Sequence, residues 1–102
     1  MRRVMVSYRV KAECAAENEA LVRAVYEELH AAVPSGLRYA TFKLEDGVSF
    51  VHLAETEDGQ NPLPDMQAFK DFQAAIGERC EEPPRVSELH EVGSFRLFGG
   101  AT

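Results

Sequence analysis

Leu37-Arg38-Tyr39-Ala40-Thr41-Phe42-Lys43-Leu44-Glu45-Asp46-Gly47-Val48-Ser49-Phe50-Val51-His52-Leu53-Ala54-Glu55 is the stretch on which the fold turns. Two runs rich in aromatic and β-branched residues flank Asp46-Gly47. That dipeptide is a strong hairpin signal, because a type I′ turn needs positive φ at its centre. A two-residue turn pairs Glu45 with Val48, Lys43 with Phe50, Thr41 with His52 and Tyr39 with Ala54. On the alternate side it pairs Phe42 with Val51, Ala40 with Leu53 and Arg38 with Glu55. Residues that face each other across a ladder share one side of the sheet. Ala40, Phe42, Val51 and Leu53 therefore form an apolar side, expected to meet helices. Tyr39, Thr41, Lys43, Phe50, His52 and Ala54 form a mixed polar and aromatic side, expected on the second face.

Outward from the hairpin the hydrophobic period changes in order. Val4, Val6, Tyr8 and Val10 alternate with Met5, Ser7 and Arg9, which predicts a strand over residues 3–11. Asn18, Leu21, Val22, Val25, Leu29 and Val33 recur at helical spacing and predict a helix over 14–33, stopped by Pro34-Ser35-Gly36. The hairpin strands fall at 37–44 and 48–55, with a polar loop over 56–64. Met66, Phe69, Phe72, Ile76 and Cys80 predict a second helix over 65–82, ended by Pro83-Pro84. A last strand is expected over 85–98, with a bulge at Gly93. Strand, helix, strand, strand, helix, strand is the α+β, ferredoxin-like plan: a four-stranded antiparallel sheet with helices on one face. The expectation places strands one and three side by side in the middle and parallel. It runs the two helices parallel to each other and sets Cys14 and Cys80 at opposite ends as free thiols.

The chain has 102 residues, one domain's worth over 1–102. Its formal net charge of −6 argues against nucleic acid or an anionic membrane as partner, since phosphate binding needs a basic face. No apolar run approaches the ~20 residues of a membrane span, and Ser7, Arg9 and Lys11 interrupt the N-terminal apolar stretch that a signal peptide would need. The expected location is the cytoplasm. The two cysteines and the histidines at 30, 52 and 90 show no metal spacing, so no metal and no cofactor is expected.

Helices cover one side of a four-stranded sheet, and the first strand leaves Met5, Ser7 and Arg9 on the other. Apolar groups on that second face point to a homodimer, with two sheets laid together as an α/β barrel. The pattern Val6-x-Tyr8-x-Val10, the helix with Leu21, Val25 and Leu29, Pro34-x-Gly36, the hairpin, and Phe69-x-x-Phe72 resembles the dimeric α/β-barrel superfamily. Within it the chain is most similar to the antibiotic-biosynthesis-monooxygenase-like domains. That resemblance implies a small dimeric domain, in a superfamily that includes cofactor-independent oxygenases, haem-degrading enzymes and lactone isomerases. The chain departs from the enzymatic branches. It has no Trp, its second helix has no His for a haem iron, and Ser7 stands where the haem-degrading branch would offer Asn.

His52 is the candidate acid or base, because histidine titrates near neutral pH. Tyr39 joins it as a catalytic candidate. Ser7, Arg9, Thr41, Phe50 and His90 are candidate substrate-binding residues, with Ser7 expected to approach His52 from the neighbouring strand. Arg9 would meet an anion, and Arg38 is expected to pair with Glu55. A nucleophilic serine lacks its Gly-x-Ser-x-Gly elbow here. Asn18 on an apolar stripe either points to a pocket between helix and sheet or faces solvent. Two functions follow. One is a cofactor-independent monooxygenase-like or isomerase-like enzyme on a small aromatic or lactone substrate. The other is a non-catalytic dimeric binding or accessory module.

Overall fold

Alternating apolar residues build β1 (Arg2–Val10), and the long amphipathic run builds α1 (Ala15–Ala32) after a 3-10 turn at Ala12–Cys14. The hairpin supplies β2 (Leu37–Lys43) and β3 (Ser49–Thr56). A second 3-10 turn at Leu63–Asp65 leads into α2 (Gln67–Gln73), then α3 (Ile76–Arg79) and β4 (Cys80–Glu88). These elements come from a computed structural model that describes residues 1–97. The sheet has four strands in the order β2-β3-β1-β4, and every pairing is antiparallel. This is the ferredoxin-like arrangement expected from the pattern.

The hairpin register is the expected one, with Thr41 opposite His52 and Lys43 opposite Phe50. The turn is longer than two residues. Leu44 N–H bonds Ser49 O at 2.8 Å and Gly47 N–H bonds Leu44 O at 3.0 Å, with Gly47 at φ 78°. Asp46 Oδ1 accepts from the backbone N–H of Val48 and Ser49, which fixes the loop without a Glu45–Val48 ladder pair. Arg38 lies 3.8 Å from Glu55, as the register requires.

Several expectations are corrected. β1 and β3 are neighbours but run antiparallel. The connection after β3 therefore leaves the opposite end of the sheet from the one after β1, so the helices do not leave the same end. Cys80 opens β4 opposite Val10, and Lys11 N–H bonds Arg79 O at 2.8 Å. That brings Cys80 to the end where α1 begins, so Cys14 and Cys80 share one end of the sheet; both are free thiols. The expected 65–82 helix is broken. Gln73 is its last helical residue, Ala74 is extended, and Ala75 sits in the left-handed region at φ 58°. Pro83 and Pro84 do not end a helix but lie within β4, an edge strand, where a missing N–H is tolerated. β4 ends at Glu88, so Gly93 is not a strand bulge, and residue 98 falls outside the described residues.

The faces of the hairpin are also reversed. Val6 pairs with His52 and Tyr8 with Phe50, so the β1 residues assigned to the helix side bring the polar-aromatic side of the hairpin with them. Tyr8, Val10, Phe50 and His52 are buried there beneath Val22 and Val25 of α1 and Phe72 of α2. The valines of β1 and the apolar pairs of the hairpin fall on opposite sides of the sheet, because the register sets Val6 opposite His52 and Ser7 opposite Val51. Ala40, Phe42, Val51 and Leu53 lie on the open face instead, with Phe42 51% exposed.

Candidate functional site

The core contains a continuous polar chain. Asn18, on the first turn of α1, points inward and is 0% exposed. Its Nδ2 donates to the Tyr8 hydroxyl at 2.9 Å. Tyr8 is 2.8 Å from Nε2 of His52. The other ring nitrogen of His52, Nδ1, lies 2.6 Å from the Tyr39 hydroxyl and 3.1 Å from Thr41 Oγ1. Thr41 Oγ1 is in turn 2.8 Å from the hydroxyl of Tyr26 on α1. At the other end Arg79 Nε donates to Asn18 Oδ1 at 3.2 Å.

Local structure explains these positions. Thr41 and His52 are directly opposed across the hairpin and Tyr39 is one pleat along, so all three lie on one side. The break after α2 exposes carbonyls that a continuous helix would have used. Arg79 fills them, donating to Phe72 O at 2.6 Å and Ala74 O at 3.0 Å. Its guanidinium also sits 5.6 Å over the Phe72 ring. Aromatic rings pack around the chain. Tyr8 stacks on Phe50 at 5.6 Å, Tyr26 on Tyr39 at 5.4 Å, and His52 lies 5.4 Å from Phe72.

Burial sets the protonation states. His52 is 4% exposed with no carboxylate partner, and desolvation brings its pKa down to about 4, so it is neutral at pH 7. Desolvation pushes Tyr8 up to about 12, only partly opposed by the bond from Asn18. Tyr39 and Tyr26 are raised by the same cause. All three phenols keep their hydrogens.

A pocket of about 320 Å3 opens between α1 and the β2–β3 edge. Tyr26 and Thr41 lie in its wall with Val22 and Phe50, while Glu19, Arg23 and Lys43 form its charged rim. Glu19 accepts from both Lys43 Nζ and Arg23, each at 2.7 Å, which holds its carboxyl down at about 2. A larger groove of about 590 Å3 lies on the other side of the sheet, over Ala40 and Leu53 and under residues 89–94.

Of the residues expected at a site, Tyr39, Thr41, Phe50 and His52 come together. Ser7 does not: it pairs with Val51 on the open face, so it cannot approach His52 from β1. Arg9 also lies on the open face, where it meets Glu81 and Glu82 of β4 at 3.8 and 3.2 Å. His90 follows β4 and borders the open-face groove, away from His52. Asn18 takes the inward of its two readings. Arg79 and Tyr26 were not anticipated. Arg79, three residues beyond Ile76 at the end of the apolar stripe, is 4% exposed. Among the described residues no group of His, Cys, Asp and Glu is placed to hold a metal, and no helix is long and apolar enough to cross a membrane.

The fold is similar to that of several solved structures, some of them named as antibiotic biosynthesis monooxygenases or putative ones. Among solved structures, Rv0793 from Mycobacterium tuberculosis superposes with a TM-score of 0.71 at 17% identity, covering 91% of this chain and 96% of that one. An antibiotic biosynthesis monooxygenase matches at 0.68 and 18%, over 91% of this chain and all of that one (100%). A conserved protein from Methanosarcina mazei matches at 0.68 and 21%, over 88% and 91%. No protein-family model matches the sequence, and no curated protein does.

Proposed function

We propose that the chain is a small α/β enzyme working without a bound cofactor, monooxygenase-like or isomerase-like, on a small aromatic or lactone substrate. The substrate sits in the pocket at the Tyr26–Thr41 end of the polar chain, and His52 and Tyr39 behind it orient the hydroxyl hydrogens that meet the substrate's oxygen. One observation carries this reading: a hydrogen-bonded chain occupies the centre of the core and reaches the wall of a pocket. A core built only for stability is apolar, because each buried polar group costs free energy unless partnered. The pocket lies at the low end of the ~300–1,000 Å3 range of ligand sites. The name of a similarly folded protein, an antibiotic biosynthesis monooxygenase, supports the oxygenase side of the proposal.

The second reading is a non-catalytic dimeric binding or accessory module. It is favoured by His52 itself, whose two ring nitrogens are already bonded inside the core. In either case two copies meet through the open sheet face, where Phe42 stands half exposed beside Ala40, Val51 and Leu53. The proposed location is the cytoplasm.

Aerobic incubation of the purified protein with a set of small phenols and lactones, without added cofactor, tests the choice. Oxygen uptake or product formation that disappears in His52→Gln and Tyr39→Phe is the enzyme's signature. Retention of an unchanged small molecule by native mass spectrometry, with no turnover of any compound, assigns the binding module.

A further inference from the structure

Arginine only donates hydrogen bonds. Arg79 Nε therefore fixes which end of the Asn18 amide it meets: Oδ1 accepts from Arg79, and Nδ2 faces Tyr8. The amide nitrogen cannot accept, so the Tyr8 oxygen accepts from it. The single hydrogen of Tyr8 then goes to its other partner, Nε2 of His52. A neutral imidazole has one donor nitrogen and one acceptor nitrogen. With Nε2 accepting, the hydrogen of His52 lies on Nδ1 and is donated to Tyr39 at 2.6 Å, with Thr41 at 3.1 Å as the weaker branch. Every bond from Arg79 to Tyr39 runs in one direction.

Beyond His52 the hydroxyls of Tyr39, Thr41 and Tyr26 bring one hydrogen each. One bond joins Thr41 to Tyr26, at 2.8 Å. His52 donates into this group and takes nothing from it, so the Thr41–Tyr26 bond uses one of that pair's two hydrogens and leaves the other over. Tyr26 and Thr41 both line the pocket, so that hydrogen faces it. The pocket's rim adds charge of matching sense, since Lys43 and Arg23 share the single carboxylate of Glu19. Its inner wall, Val22 and Phe50, is apolar.

We infer that the pocket between α1 and the β2–β3 edge takes a small aromatic oxyanion (a carboxylate, phenolate or enolate) whose oxygen accepts the outward hydroxyl hydrogen of Tyr26 or Thr41, and that Arg79 and Asn18 are positioning residues setting this polarity. The inference deepens the proposed function and rests on the same pocket.

The test needs no turnover. Long-range proton–nitrogen correlation on nitrogen-labelled protein reads the tautomer of His52 directly. Hydrogen on Nδ1 is expected; hydrogen on Nε2 overturns the direction of the chain. Asn18→Asp, whose carboxylate only accepts, turns Tyr8 round and is expected to move the histidine hydrogen to Nε2, a change that loss of packing alone does not produce. An unchanged tautomer in the folded variant denies Asn18 its positioning role, and where that variant does not fold the wild-type tautomer decides. Benzoate and benzamidine, matched in shape but opposite in charge and hydrogen-bond sense, then probe the pocket through the amide signals of Tyr26, Thr41 and Lys43. Benzoate is expected to shift them, and Tyr26→Phe to weaken it about tenfold. Benzamidine binding as well as benzoate, or benzoate leaving the signals unmoved, overturns the ligand class. Absence of catalysis with these results intact removes the enzyme reading and leaves the ligand class standing.

Discussion

At the scale of single residues the core depends on partners, not on packing alone. Tyr8 serves two groups at once: its oxygen satisfies Asn18 and its hydrogen satisfies His52. Tyr8→Phe keeps the ring on Phe50 but orphans a buried amide and a buried ring nitrogen. A buried orphan costs ~1–3 kcal/mol, so denaturant melts are expected to show a loss of about 3 kcal/mol. His52 gives a pH prediction of definite sign. Its folded pKa is about 4 against 6.5 unfolded, so between those values the unfolded chain binds a proton the native one refuses. Stability is complete above pH 6.5 and falls as pH drops towards 4, by about 2 kcal/mol between pH 7 and pH 5. Urea midpoints at the two pH values measure it, and His52→Gln is expected to remove most of the difference. The pairing of His52 with Thr41 was legible from a turn dipeptide and a count of residues. The role of Arg79 was not, because a lone arginine near the end of a helical stripe reads as solvated until a chain break supplies it with carbonyls.

Elements were legible where one period ran uninterrupted. β1, α1 and the hairpin fall within about two residues of their expected bounds. The second helix was not, because Ala74-Ala75 are good helix formers and carry no breaker signal, yet Ala75 takes a left-handed φ of 58°. Nor could the hairpin alone say which side the helices take; that depends on its register against β1, a pairing between residues far apart in sequence. The reversal changes what two phenylalanine substitutions do. Phe50 is buried against Tyr8, so Phe50→Asp is expected to unfold the chain. Phe42 is on the open face, so Phe42→Asp is expected to leave the circular dichroism native while weakening self-association. An unfolded Phe42→Asp or a folded Phe50→Asp puts the helices on the wrong side of the sheet.

For the whole molecule, the apolar open face makes a second copy the natural cover, and sedimentation at micromolar concentration is expected to give about twice 11.3 kDa. A monomer at that concentration means the face stays in water. The sequence's small core, suited to a chain of this length, is consistent with a partner supplying further burial. How a second copy would meet the sheet is narrowed by β4. It forms one margin of the sheet, and Pro83 and Pro84 stand in its middle. A proline has no N–H to offer an incoming strand, and because successive N–H groups point to opposite edges, one of the two prolines removes a donor from the free edge. Glu81, Glu82 and Arg85 surround them with charge. That margin therefore resists the strand-by-strand growth that turns exposed sheets into fibrils.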